Sequence, residues 1–161
     1  MVFHSLLPRS RTYMVLNEIE KGGSFVTTSL NAASMALIDS GYSLNYCIGA
    51  CGIILDGRDG QMYTEKQYQE KFANLLRTYE PQQWQSHYSF NHSFALPNQG
   101  ESAIKATFCT VIKNTNTQNP VSLIAEGKFS LNQLLQAQRL SVEPVESFFD
   151  YLKNFTKNRF V

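Results

Sequence analysis

The chain has little charge and almost no charge imbalance: 17% of its 161 residues are charged, and 14 basic against 13 acidic side chains leave a formal net charge of +1. With no global field, nucleic acid would have to be held by a local basic patch. Long hydrophobic runs are missing too. The stretch CIGACGIIL at 47–55 is interrupted by glycine and far too short to cross a bilayer, so no membrane partner is expected. Cysteine is scarce and odd in number, with only Cys47, Cys51 and Cys109. An odd count, with no basic-then-apolar segment at the start, excludes a fully paired disulfide framework and fits a reducing, intracellular setting. Internal repeats and low-complexity tracts are absent, which excludes solenoids and tails.

What is present is enough apolar sequence, 43%, for one domain with a sizeable core, and a length too short to argue for two. TYMVLNEIE at 12–20 alternates as a strand, with Tyr13, Val15 and Asn17 on one face and Met14, Leu16 and Glu18 on the other. Lys21, Gly22 and Gly23 break it. Ser24 is an N-cap for a helix carrying Leu30, Ala33, Leu37 and Ile38, and Gly41 supplies its C-cap. YCIGACGIIL reads as a strand buried on both faces, and GRDG at 57–60 turns the chain into QMYT. Thr64 caps a helix reaching Leu76.

Residues 79–100, rich in Gln, Ser, His, Asn and aromatics, read as an inserted loop. ATFCTVIK and PVSLIAEGKF form a hairpin around the polar turn NTNTQN. Ser130 opens a helix with Leu131, Leu134 and Leu135 on one face. A last helix carries Val145, Phe148, Phe149 and Leu152.

The run GGSFVTTSLNAASMALIDSG at 22–41 has the outline of a phosphate-gripping loop at a helix start, and equally that of a buried helix with glycine ends. Four pieces decide the frame: LLPRS, the Gly22–Gly23 pair, LNAASMALIDSG, and AEGKFSLNQLLQAQRLS. In this order they resemble the RNase PH family, and within it the ring subunits of the RNA exosome. The resemblance implies an α+β fold of the ribosomal protein S5 domain 2-like kind, with βαβ layers, six such domains enclosing a pore for single-stranded RNA. A typical family domain has several strands and a helix before its LLPRS-like segment. Here that segment begins almost at Met1, so residues 1–161 are expected to form a single domain equivalent to the C-terminal two-thirds, truncated at its N-terminal side. Strand 12–20 would then be an exposed edge unless a partner covers it.

In active members, the resemblance implies, the glycine pair is followed by a hydroxyl residue, an arginine and a second hydroxyl residue that hold inorganic phosphate. Here Gly22, Gly23, Ser24 and Phe25 are followed by Val26, so phenylalanine replaces the cation. The family also places carboxylates on the strand after ILDG and on the first hairpin strand. No aspartate occurs between Asp59 and Asp150, and Lys105 stands near the second acid's place. A degenerate phosphate loop, no catalytic residues and no cofactor are therefore expected, with Asp56 and Asp59 as turn formers.

Cys47, Cys51, His87 and His92 do not make a four-ligand metal set, and the cysteines read as small buried hydrophobes. A Cys–His hydrolase would need an oriented pair, which sequence distance neither supports nor excludes. Candidate RNA contacts are Arg9 and Arg11, with Arg58 and Lys66 beside Lys71 near a predicted hairpin, although solvated surface charge explains them as well. Trp84, Tyr88 and Phe90 are candidate partner contacts. The expectation is a non-catalytic exosome ring subunit of the nucleus, nucleolus and cytoplasm, partnered by other RNase PH-like subunits. Its rivals are an active phosphate-dependent 3′-5′ exoribonuclease and a stand-alone homodimeric binding protein.

Overall fold

The structure, a computed structural model, describes residues 11–19, 24–77 and 104–160. Four strands form one antiparallel sheet in the order β2-β1-β3-β4: β1 (Ile48–Asp56), β2 (Met62–Thr64), β3 (Ile104–Lys113) and β4 (Asn116–Gly127). Its helices are α1 (Phe25–Asp39), α2 (Glu65–Arg77), α3 (Leu131–Leu140) and α4 (Val142–Phe160).

The expected α+β class holds, but every strand pair described is antiparallel, so no parallel βαβ unit occurs among the described residues. The strand expected at 12–20 is also absent over 11–19, where the backbone has no regular structure and Ile19 is 99% exposed. Alternation prepares a segment for a sheet without supplying a partner, and no described strand pairs with this one.

β1 and β3 run side by side from Ile48 opposite Lys113 to Asp56 opposite Ile104. Both are buried on two faces, which explains their near-continuous apolar composition. One face packs Ile53, Leu55, Phe108 and Ile112 against Ala137, Val145, Phe149 and Leu152 of α3 and α4. The other packs Ala50, Cys109 and Val111 against Val26 and Leu30 of α1. Ile54 and Ile104 enclose Tyr68 of α2.

β2 covers only Ile53 to Leu55 of β1, leaving backbone groups upstream that need partners. α1 supplies them through side chains. Asn31 accepts from the Ala50 N–H at 2.7 Å and donates to its carbonyl at 3.0 Å, while the Ser34 hydroxyl donates to the Ile48 carbonyl at 2.7 Å. Polar residues inside an apolar helix thus act as a substitute strand.

The helix ends follow the sequence signals. Ser24 caps α1, and Gly41, at φ +72°, takes the left-handed position just beyond Ser40. Thr64 and Gln67 cap α2 reciprocally at 3.3 and 3.1 Å, and Ser130 and Gln133 do the same for α3. Two details differ. The β3–β4 turn comprises only Asn114 and Thr115, since pairing already resumes at Asn116. α3 turns Ala137 inward, fully buried, and leaves Leu131 70% and Leu135 45% exposed, so those leucines do not share a buried face. The small Ala137 is what lies against the core there.

Candidate functional site

The candidate phosphate loop leads into α1. Gly22 and Gly23 lie outside the described residues; Ser24 and Phe25 lie within them. Ser24 sits at φ −69° and ψ 114°, and its Oγ accepts the Thr27 N–H at 3.3 Å, satisfying one free donor of the first turn. The Thr27 hydroxyl has one proton and three acceptors in range: Ser24 Oγ at 3.1 Å, Glu65 Oε1 at 3.4 Å and Cys109 Sγ at 3.7 Å. Phe25, the first helical residue, is half exposed and brings no charge.

Glu65 was not among the expected site residues. It follows β2 directly, and the reciprocal Thr64–Gln67 cap fixes the first turn from which its side chain reaches across to α1. Its Oε1 accepts from the Thr27 hydroxyl at 3.4 Å, with Ser24 beside it. Gly52 of β1 makes room for it: a Cβ there would lie 1.8 Å from Glu65 Oε1. Glu65 thus stands one residue past the end of β2. β3 carries no carboxylate, and its Lys105 is exposed.

Burial pushes the Glu65 carboxyl above the usual range, against the opposing pull of the Ser24 and Thr27 hydrogen bonds. A carboxyl raised in the folded state gives stability that is full below the unfolded value, about 4.3, and lost as pH rises through the folded value. Glu65→Gln keeps an acceptor and carries no charge. The variant should therefore match or exceed the native chain at pH 7 in urea denaturation, with a flatter decline in stability between pH 4 and 7. A variant less stable at pH 7 than at pH 4 by the native margin would count against this electrostatic account.

Burial acts on the thiols as well. Burial, helped by Glu65 and Cys109, pushes Cys51 up to about 12, and burial raises Cys109 and Cys47 as well. Neutral buried thiols are neither nucleophiles nor ready metal ligands. His87 and His92, with Trp84, Tyr88, Phe90 and the whole 79–100 loop, lie outside the described residues. Among the described residues no cluster of three or more His, Cys, Asp or Glu side chains is placed to hold a metal ion, and no helix is long and apolar enough to cross a membrane.

The aspartates of the β1–β2 turn act as turn formers. Asp56, 1% exposed, accepts from the Arg58 backbone N–H at 2.9 Å, from Nε at 3.1 Å and from the terminal guanidinium at 3.0 Å. Asp59 accepts the Gln61 N–H at 2.9 Å, and its other oxygen meets Lys71 at 2.7 Å and the Tyr63 hydroxyl at 2.6 Å. Lys71 and Tyr63 hold its carboxyl well below the usual range. Lys71 also lies 4.2 Å over the Tyr63 ring.

This geometry divides the candidate RNA contacts. Arg58 pairs with a buried carboxylate within its own turn. Lys66 is exposed, with Glu70 at 3.9 Å, and Arg11 is exposed; Arg9 lies outside the described residues.

No protein-family model matches the chain, and no curated protein matches it in sequence. Solved structures do. Rice (Oryza sativa) Rrp46 is similar in fold at a TM-score of 0.57, with 14% identity, over 86% of this chain and 51% of Rrp46. The chain therefore spans about half the length of that protein, and what the two demonstrably share is the fold.

Proposed function

We propose that this domain is a non-catalytic structural unit of an RNA exosome ring, contributing to RNA processing and degradation by ring assembly and RNA channelling. Two things support the placement: the resemblance carried by LLPRS, LNAASMALIDSG and AEGKFSLNQLLQAQRLS, and the fold common to this chain and rice Rrp46. The observation that carries the non-catalytic half is the start of α1. Phe25 stands where a phosphate-holding cation is called for, and the chain's own Glu65 carboxylate already stands at this helix start, 3.4 Å from the Thr27 hydroxyl. An incoming phosphate would meet like charge and no neutralising guanidinium. For assembly, β4 lies at the sheet edge with Val121 and Ile124 exposed, an edge that a neighbouring domain would cover. Arg11 and Lys66, both exposed, are the described cations proposed to meet RNA, and the compartments are those of the exosome.

Co-expression with RNase PH-like ring subunits, followed by size-exclusion chromatography with light scattering, tests assembly. The chain should elute with the ring. Elution as a homodimer or monomer, with the other subunits excluded, overturns assembly. Glu65 favours the rival exoribonuclease, since a carboxylate stands beside Thr27 in the first turn of α1. RNA incubated with inorganic phosphate should release no nucleoside diphosphates; phosphate-dependent release would overturn the non-catalytic half alone.

A further inference from the structure

Outside the turn network, the most completely built polar cluster in the described residues joins three elements that the sequence keeps far apart: Ser24 and Thr27 of α1, Gly52 of β1 and Glu65 of α2. Such a cluster, with Glu65 part-buried, needs a reason, because taking a carboxylate out of water is unfavourable unless donors compensate. α1 provides one such donor, the Thr27 hydroxyl at 3.4 Å. Its first-turn amides lack intrahelical acceptors, and its dipole favours an anion at that end. Phe25 supplies no cation to attract an anion from solution, whereas Glu65 is tethered and present at high effective concentration.

We propose that Glu65 is the resident anion of α1: its carboxylate fills the seat at the helix N-terminus, closes it to free phosphate and fastens α2 to α1 across Gly52. Gly52 is then the residue that permits the arrangement, because any side chain there would collide with Oε1. Thr27 is the hinge of the cluster, touching Ser24, Glu65 and Cys109 together. The titratable groups that face Glu65 from other elements are the thiols of Cys51 on β1 and Cys109 on β3, both held neutral by burial. This inference concerns contacts within the domain, and it stands whether or not the chain enters a ring.

Nuclear magnetic resonance of the folded chain tests it directly. The Ser24 and Thr27 amide resonances should titrate with Glu65 in the native chain and lose that titration in Glu65→Gln. Persistence of the titration in Glu65→Gln overturns the proposal. Gly52→Ala provides a second variant, in which the carboxylate remains on the chain but is evicted from the seat; it too should lose the titration at Ser24. Inorganic phosphate added to the native chain at millimolar concentration should leave both amides unmoved. A saturable phosphate-dependent shift at those amides would show an open seat and overturn the closure.

Discussion

Phe108→Ala should destabilise the domain by about 3–5 kcal/mol, a large share of the 5–15 kcal/mol that ordinarily holds a domain together. Phe108 is fully buried at the middle of β3, opposite Ile53 on one side and Ala125 on the other. Its ring meets Phe129 edge to face at 5.1 Å, and the face it points from is the one covered by α3 and α4. Removing the ring leaves a cavity whose walls are two hydrogen-bonded ladders and a helix pair, none of which collapses easily. The cost should therefore lie at the upper part of the range. Urea denaturation would read it as a lower midpoint with an unchanged slope. Leu131→Ala is the matched control, because Leu131 is 70% exposed and its loss should change stability by less than about 0.5 kcal/mol. Equal losses in the two variants would refute the assignment of this core.

The contrast between those two residues also marks what local pattern reveals. Leu131, Leu134 and Leu135 satisfy helical spacing, yet rotation of α3 about Ala137 decides which of them is covered, and that rotation is set by the sheet beneath. Spacing along one helix contains no information about it. Caps behave differently. Ser24, Thr64 and Ser130 each bond within three residues of themselves, so their roles are legible in sequence and recur in the structure.

Paired strands were legible for a related reason. β1 and β3 are apolar throughout because both faces are covered, and the GRDG and NTNTQN turns announce their hairpins. Segment 11–19 has equally good alternation and no strand, since pairing is a property of two segments and among the described residues none pairs with it. The site splits along the same line. Phe25 was visible as a missing cation because it lies inside a motif. Glu65 was invisible as a site residue because it meets Thr27 only in space, 38 positions away. One signal could have found it: a carboxylate immediately after MYT, the strand where the family resemblance asks for an acid.

Arg58→Ala should cost about 2–3 kcal/mol, a value below the 3–5 kcal/mol of a fully buried broken pair because the arginine is partly solvated. Its side chain is 35% exposed, while Asp56 is 1% exposed and would keep only the backbone N–H of residue 58 as a donor from this turn. The lost contacts are two parallel charge-assisted bonds to one carboxylate, a geometry that lysine does not reproduce, so Arg58→Lys should recover only part of the loss. Asp56→Asn lowers the charge left behind. A double-mutant cycle between the two positions should therefore return a coupling of at least about 1 kcal/mol. The same variants separate turn building from RNA contact. Loss of a phosphate-binding arginine would weaken RNA binding and reduce its salt slope by about 1 while leaving stability within about 0.5 kcal/mol. The pairing with Asp56 requires the reverse: stability falls, and RNA affinity per folded molecule, measured at two salt concentrations, holds. A stable Arg58→Ala chain with weakened, less salt-sensitive RNA binding would return this arginine to the RNA-facing surface and leave the burial of Asp56 without its electrostatic explanation.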